Sequence, residues 1–276
     1  MIPAIIFLLG LILGSFLNVC ILRIPRGESI VLPASHCTNC GEAIKAYDNI
    51  PMLSWIILRG RCRKCREPIS WMYPAVELAT GLLFLGCYFA FGLTLTGAKW
   101  ALFASLMIVL VVTDARERIL PDKVNFLGLA LGIVFSPLLR PVDGLALSLS
   151  DRIFAFPPPT PVLALADSLL GMIAGGGLLW IVAEGYFRLR GREGMGLGDV
   201  KMMAMAGTFL GLKRTLLTIL LGSLLGSVLG LLFIMLFRKD RQYELPFGTF
   251  LGASALLVVF FGTPMLNWYQ NFVSMR

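Results

Sequence analysis

The chain has 276 residues, of which 57% are hydrophobic and only 14% charged, with a mean hydropathy of +0.82. That composition excludes an ordinary soluble domain and leaves a polytopic membrane protein. The formal net charge of +8 and a pI near 9.4 are accounted for by basic loops that orient membrane spans and touch anionic membrane lipid, so no nucleic-acid partner is expected.

Apolar runs of roughly 17–25 residues cross a bilayer as helices. On that measure spans are expected at 2–22, 72–91, 98–113, 124–139, 162–187, 200–212, 215–237 and 246–262. The fold class that follows is all-α, a polytopic bundle of about eight transmembrane helices. The runs at 98–113, 124–139 and 200–212 are short, and are expected to extend into flanking residues, thin the bilayer or enter only part way. The first run has no basic residue ahead of it and Arg23 and Arg26 behind it, which reads as a retained helix with its N-terminus outside rather than a signal peptide. Alternating the loops between two sides places 18 of the 24 Lys and Arg on the side that holds 23–71, 114–123, 188–201 and 238–245. The positive-inside tendency makes that side the cytoplasm.

Between the first two spans, the polar insert 23–71 carries Cys37 and Cys40 in one C-x-x-C and Cys62 and Cys65 in another. Two such knuckles present four thiolates tetrahedrally to one ion, the pattern of a structural zinc site. Disulfides or a redox pair are the competing readings, but the charge count places the loop in a reducing compartment. A loop this polar can hardly bury enough surface to fold unaided, so the metal is expected to supply much of its folding free energy. With four cysteines as ligands no position is open for a catalytic water. His36, the single histidine, adjoins Cys37 and reads as a bystander. Cys20 and Cys87 fall inside apolar runs as small buried residues.

Further along, the run 98–113 ends at Asp114, and "ARERILPD" leads to Asp122 before the next span. The segment 140–161, with its proline run, reads as an irregular external connection that serves as a spacer or a lid. Small residues in 175–177 and 221–233 permit close helix packing. Then "GMGLGDVK", Gly194 to Lys201, opens the span at 200–212.

A carboxylate at a bilayer edge is a functional-site hypothesis by default. On the assigned topology Asp114 and Asp199 share the cytoplasmic face. Two carboxylates at one site cannot both ionise cheaply. The ionised one can take a proton from water as it attacks a peptide carbonyl, and the protonated one can donate to the carbonyl oxygen. Glycines beside the acid let a substrate strand approach the backbone. The structural alternative is an N-cap at Asp199 for helix 200–212, with Asp114 and Asp122 as solvated residues paired to Arg116, Arg118 or Lys123.

The ordered set "GSFLNVCILRIP" (14–25), "CTNC…CRKC", "NIPMLSWIILRGRCRKC" (49–65), "ISWMYPAVELATG" (69–81), "TDARERILPD" and "GMGLGDVK" resembles the bacterial type IV prepilin peptidases. These are bifunctional leader peptidases and N-methyltransferases of the GxGD class. The resemblance runs through most of residues 10–212; the GxGD element alone is short and also resembles presenilin-type proteases.

The resemblance implies a membrane aspartic protease of the bacterial inner membrane that removes a short basic leader from type IV prepilins or type II secretion pseudopilins at the cytoplasmic face. It also implies N-methylation of the new terminus from S-adenosylmethionine. By motif position the catalytic pair is Asp114 and Asp199, with Asp122 the rival to Asp114 and otherwise a cap for the next helix. Gly196 and Gly198 flank the bend that places Asp199, and Lys201 either holds its charge or contacts the cytoplasmic surface.

The chain shows no Rossmann fingerprint for the cofactor. In the family the transferase belongs to the N-terminal part, so residues 1–91 are expected to form that part and 92–276 the peptidase. Candidates for cofactor binding are Asn18, Arg23 and Glu77. Glu77 sits inside an apolar helix and demands a partner: the substrate amine, the cofactor sulfonium, or Arg23. Two rivals stay open, a peptidase without methyl transfer and a non-catalytic membrane scaffold or transporter whose zinc loop docks a partner.

Overall fold

The computed structural model describes residues 1–139, 158–192, 194–237 and 246–274. Most of the proline-rich connection (140–157) and the basic segment 238–245 lie outside the described residues, so the spacer and lid readings of the former are not addressed. Among the described residues regular structure is helical, apart from isolated bridges between His36 and Ala43 and between Arg61 and Pro68.

The α-helices are α1 (Ile2–Arg23), α2 (Leu53–Ile57), α3 (Met72–Phe91), α4 (Leu95–Glu117), α5 (Asp122–Phe135), α6 (Thr160–Arg190), α7 (Leu197–Phe237) and α8 (Phe247–Ser274). Six of them, α1, α3, α4, α6, α7 and α8, are long and apolar enough to cross a membrane. The 14-residue α5 is shorter, and α7 is broken at Gly211, whose φ of 72° and ψ of 178° are not helical. Glycine takes that positive φ without the steric penalty of a side chain. Counting α5 and the two limbs of α7 separately gives the eight apolar segments expected from the sequence.

The chain divides into two compact units, Met1–Val109 and Leu110–Arg276, and the division falls within α4. In the first unit α1 and α3 run antiparallel in close contact. An added Cβ on Gly10 would meet Gly81 Cα at 2.7 Å, and one on Gly14 would meet Glu77 Cα at the same distance. One turn further, the Asn18 side chain donates to the Tyr73 carbonyl at 3.0 Å. Helices embedded in lipid gain little from burying apolar surface against each other, so small residues that bring backbones together carry the association.

In the second unit the first limb of α7 is gripped on two sides. Gly171 and Gly176 of α6 abut Gly207 and Ala204, and Gly132 of α5 abuts Thr208 and Phe209. Gly175 faces both the Met203 carbonyl and the Thr215 methyl, which a straight helix would hold about 18 Å apart. The chain therefore reverses at Gly211. The second limb returns antiparallel to α8: Gly222 lies against Leu251, Gly226 against Phe250, and the Arg214 guanidinium donates to Thr263 Oγ1 at 2.7 Å.

Candidate active site

Among the described residues, two polar clusters in the first unit and one in the second contain sequence-predicted site residues. The second unit brings Asp114 and Asp199 together. Helix α4 does not stop at residue 113 but continues one turn beyond Asp114 to Glu117. Helix α7 begins at Leu197, so Asp199 is its third residue and not its N-cap. Its N–H bonds the Gly196 carbonyl at 3.2 Å. Gly198, next to it, packs so tightly on Leu120 that an added Cβ would stand 3.0 Å from Leu120 Cβ. Gly198 thus lets the turn after Asp114 close against the start of α7, while Gly196 has no such contact and lies beside Asp199 itself.

Both carboxylates are nearly buried, Asp114 at 5% and Asp199 at 8% exposure. Each points at the first turn of α8. A Cβ placed on Gly248 would lie 3.0 Å from Asp114 Oδ2, 3.0 Å from Asp199 Oδ1 and 2.9 Å from Leu120 Cδ1. The two acid oxygens therefore stand no further apart than about twice that reach, flanking the bare backbone of one glycine.

Their partners differ. Asp114 Oδ2 accepts the Thr249 N–H at 2.6 Å and lies 2.8 Å from the Thr249 hydroxyl. Asp199 Oδ1, among the described residues, has no hydrogen-bond partner. A buried carboxylate oxygen without a donor is costly unless a proton, a water or a substrate group occupies it. Gly248 and Thr249 are the residues that sequence reasoning missed. The available signal was Pro246-Phe247-Gly248-Thr249, a proline immediately ahead of a helix start with glycine in its first turn.

The rival carboxylate is elsewhere. Asp122 is the first residue of α5, and the N-cap position is taken by Pro121. Instead its two oxygens accept from Lys201 Nζ at 2.9 and 2.8 Å. Lys201 therefore holds the charge of Asp122 rather than that of Asp199, and its ammonium lies 5.8 Å from the Phe126 ring centroid.

In the first unit, the thiol sulfurs of Cys37, Cys40, Cys62 and Cys65 all lie within 4.8 Å of one another. The two knuckles are built alike. The Cys37 N–H bonds the Glu42 carbonyl at 2.9 Å and the Cys62 N–H bonds the Glu67 carbonyl at 2.8 Å. Each turn closes on a left-handed residue, Gly41 at φ 68° and Arg66 at φ 61°. The Cys37 to Cys65 sulfur separation of 3.7 Å matches the edge of a tetrahedron with Zn–S bonds of about 2.3 Å. The residues present fit a zinc ion.

His36 is not in the cluster; its Nδ1 lies 3.0 Å from the Ala34 carbonyl. Backbone N–H groups of Cys40, then Asn39, hold the Cys37 thiol below the usual thiol range, and hydrogen bonding to the neighbouring sulfurs ties its ionisation to theirs. Across the knuckles Arg63 donates to both oxygens of Asp48 at 2.8 and 2.6 Å, and its hydrogen bonding holds that carboxyl below the usual range. Lys64 pairs with Glu42 at 2.6 Å.

The third feature joins α1, α3 and the loop ahead of α2. Glu77 is 7% exposed, and its Oε2 accepts the Met52 N–H at 2.7 Å. Met52 has a positive φ of 58°, a strained position for a side chain that this bond helps to hold. Asn18, 2% exposed, uses its Nδ2 on the Tyr73 carbonyl and leaves Oδ1 buried without a partner among the described residues. Arg23 donates to the Ser29 carbonyl at 3.0 Å.

Comparison with known proteins covers nearly the whole chain. A family model described as the bacterial peptidase A24 N-terminal domain matches residues 8–91, and one described as the type IV leader peptidase family matches residues 101–231. A prepilin leader peptidase/N-methyltransferase of Xanthomonas campestris pv. campestris is 33% identical over 97% of this chain and 94% of its own length. Proteins of the same name from Aeromonas hydrophila (32% identical; 98% of this chain, 94% of the relative) and Dickeya chrysanthemi (35%; 91% and 90%) are similarly close. No solved structure matches the chain.

Proposed function

The chain belongs to the type IV leader peptidase family, and on that premise we propose that Asp114 and Asp199 are the catalytic pair of a prepilin leader peptidase that is also an N-methyltransferase. The observation that carries the assignment is the convergence of both buried carboxylates on the side-chain-free backbone of Gly248. The substrates are type IV prepilins or type II secretion pseudopilins, held in the inner membrane with the scissile bond at the cytoplasmic face. The 18 basic residues gathered on one side support that orientation.

Cleavage follows from the pair. The ionised aspartate removes a proton from a water as the water oxygen bonds to the scissile carbonyl carbon. The protonated aspartate delivers its proton to the carbonyl oxygen, giving a neutral tetrahedral diol. The C–N bond then breaks, one hydroxyl proton returns to an aspartate, and the amine leaves with a proton from the other. Asp122 has no part in this, because Lys201 occupies both of its oxygens.

The N-terminal part, residues 1–91, carries methyl transfer, and the peptidase occupies residues 92–276. S-adenosylmethionine, when bound, supplies an electrophilic methyl group on a positive sulfur. Glu77 and Asn18 Oδ1, one helical turn apart on facing surfaces of α3 and α1, offer a buried negative group and an unpaired acceptor to a cationic centre. That donor set fits either the sulfonium or the substrate amine. Arg23 fixes the loop at Ser29. The four cysteines hold a structural zinc that folds the 23–71 loop over this region.

The test is mass spectrometry of a prepilin incubated with detergent-purified enzyme and S-adenosylmethionine. Asp114→Ala and Asp199→Ala should each leave the leader attached. Glu77→Gln should release it but leave the product without the methyl group. Leader removal by either aspartate variant refutes the catalytic assignment, and full methylation by Glu77→Gln refutes the other.

A further inference from the structure

The two aspartates look alike in sequence, but the fold treats them differently. Thr249 is the third residue of α8, at the end of a helix where backbone N–H groups have no intrahelical acceptor. Its N–H can only donate, and it does so to Asp114 Oδ2 at 2.6 Å. Its hydroxyl has one hydrogen and two acceptors in reach, Asp114 Oδ2 at 2.8 Å and the Val111 carbonyl at 3.3 Å. The shorter contact to a carboxylate is the stronger one. One carboxylate oxygen, with two lone pairs, thus receives two donors and has no place left for a proton.

On the other side of Gly248, Asp199 Oδ1 is buried and receives no donor among the described residues. If the pair holds one proton, Asp114 Oδ2 cannot carry it, while Asp199 Oδ1 is the oxygen that most needs it. We propose that Thr249 is a positioning residue that fixes the direction of the shared proton, making Asp114 the base that activates water and Asp199 the acid that protonates the carbonyl. This deepens the catalytic reading of the pair and rests on it. Thr249 acts through Asp114 and touches no reacting atom.

The hydroxyl is removed with little change of shape by Thr249→Val and retained by Thr249→Ser. For each full-length protein, kcat and KM for leader removal are measured across pH, alongside methyl transfer to a synthetic peptide that already has the mature N-terminus. Losing one hydrogen bond to a charged group should lower kcat of Thr249→Val by about ten- to a hundred-fold with KM little changed. Hydrogen bonds to the charged form of a base keep it ionised at lower pH. The acid limb of the Val variant should therefore move to higher pH, by up to about one unit. Thr249→Ser should restore both the rate and the limb, and methyl transfer should persist in all three, showing that the protein is folded.

A Val variant with wild-type kcat and an unmoved acid limb overturns the proposal while leaving the catalytic pair intact. So does a Val variant that loses activity through KM alone. Cleavage by Asp114→Ala instead refutes the reading of the pair itself.

Discussion

Gly248→Ala tests whether the reaction takes place beside that residue. The added methyl would stand 3.0 Å from Asp114 Oδ2, 3.0 Å from Asp199 Oδ1 and 2.9 Å from Leu120 Cδ1. Comfortable contacts between such atoms begin near 3.5 Å, so three neighbours on three different elements must each yield about half an ångström. Asp114 cannot yield freely, since the residue next to the new methyl grips its carboxylate.

Displacing reacting groups by about 1 Å can reduce rate about a hundred-fold, and the methyl also occupies the approach between the two oxygens. Stability should change far less. Overpacking costs about 1–3 kcal/mol, while alanine is better than glycine in a helix by about 1 kcal/mol. The assay is the initial rate of leader removal, with methyl transfer to a mature-type peptide as the internal control. Cleavage should fall about a hundred-fold with methyl transfer within about two-fold of wild type. Cleavage within about three-fold of wild type would refute the idea that catalysis uses the space beside Gly248.

Metal analysis of the purified protein should find about one zinc per chain, retained at neutral pH and released on acidification because the ligands must be thiolates. Replacing Cys37 and Cys62 together should abolish that zinc and expose the 23–71 loop to proteolysis; full metal content would refute the site. Asp122→Ala breaks only a half-exposed ion pair, with Lys201 at 36% and Asp122 at 53% side-chain exposure. Such pairs contribute about 1 kcal/mol or less, so cleavage should fall by no more than about five-fold. Inactivity as complete as that of Asp114→Ala would instead place Asp122 in the chemistry.

What could be read from the sequence was local. Four cysteines in two C-x-x-C turns declare their geometry because each turn is only a few residues long. The break between the two limbs of α7 was legible because Lys213 and Arg214 interrupt an apolar run too long for one span, although the reversal itself falls just ahead of them, at Gly211. The short runs at 98–113 and 200–212 do extend into flanking residues, α4 to Glu117 and α7 back to Leu197, but hydrophobicity alone does not show that these extensions take in Asp114 and Asp199. Both are inside helical turns, where burial against another helix end outweighs the usual preference for a cap.

What was illegible depends on helix pairing. Lys201 finds Asp122 across 79 positions and Thr249 finds Asp114 across 135. In lipid, apolar contrast does not distinguish a face that meets another helix from one that meets acyl chains, and small residues mark close approach without naming the partner. Gly248 therefore reads as one more packing glycine until α8 is seen to begin at the acids.

The consequence for the chemistry is asymmetry. Identical carboxylates give no rule for which attacks and which protonates; a difference arises only when a third element supplies donors to one and none to the other. Here that element is a helix start lying beyond residue 231, where the family-model match ends. A description of the site restricted to the two aspartates omits the group that makes them different.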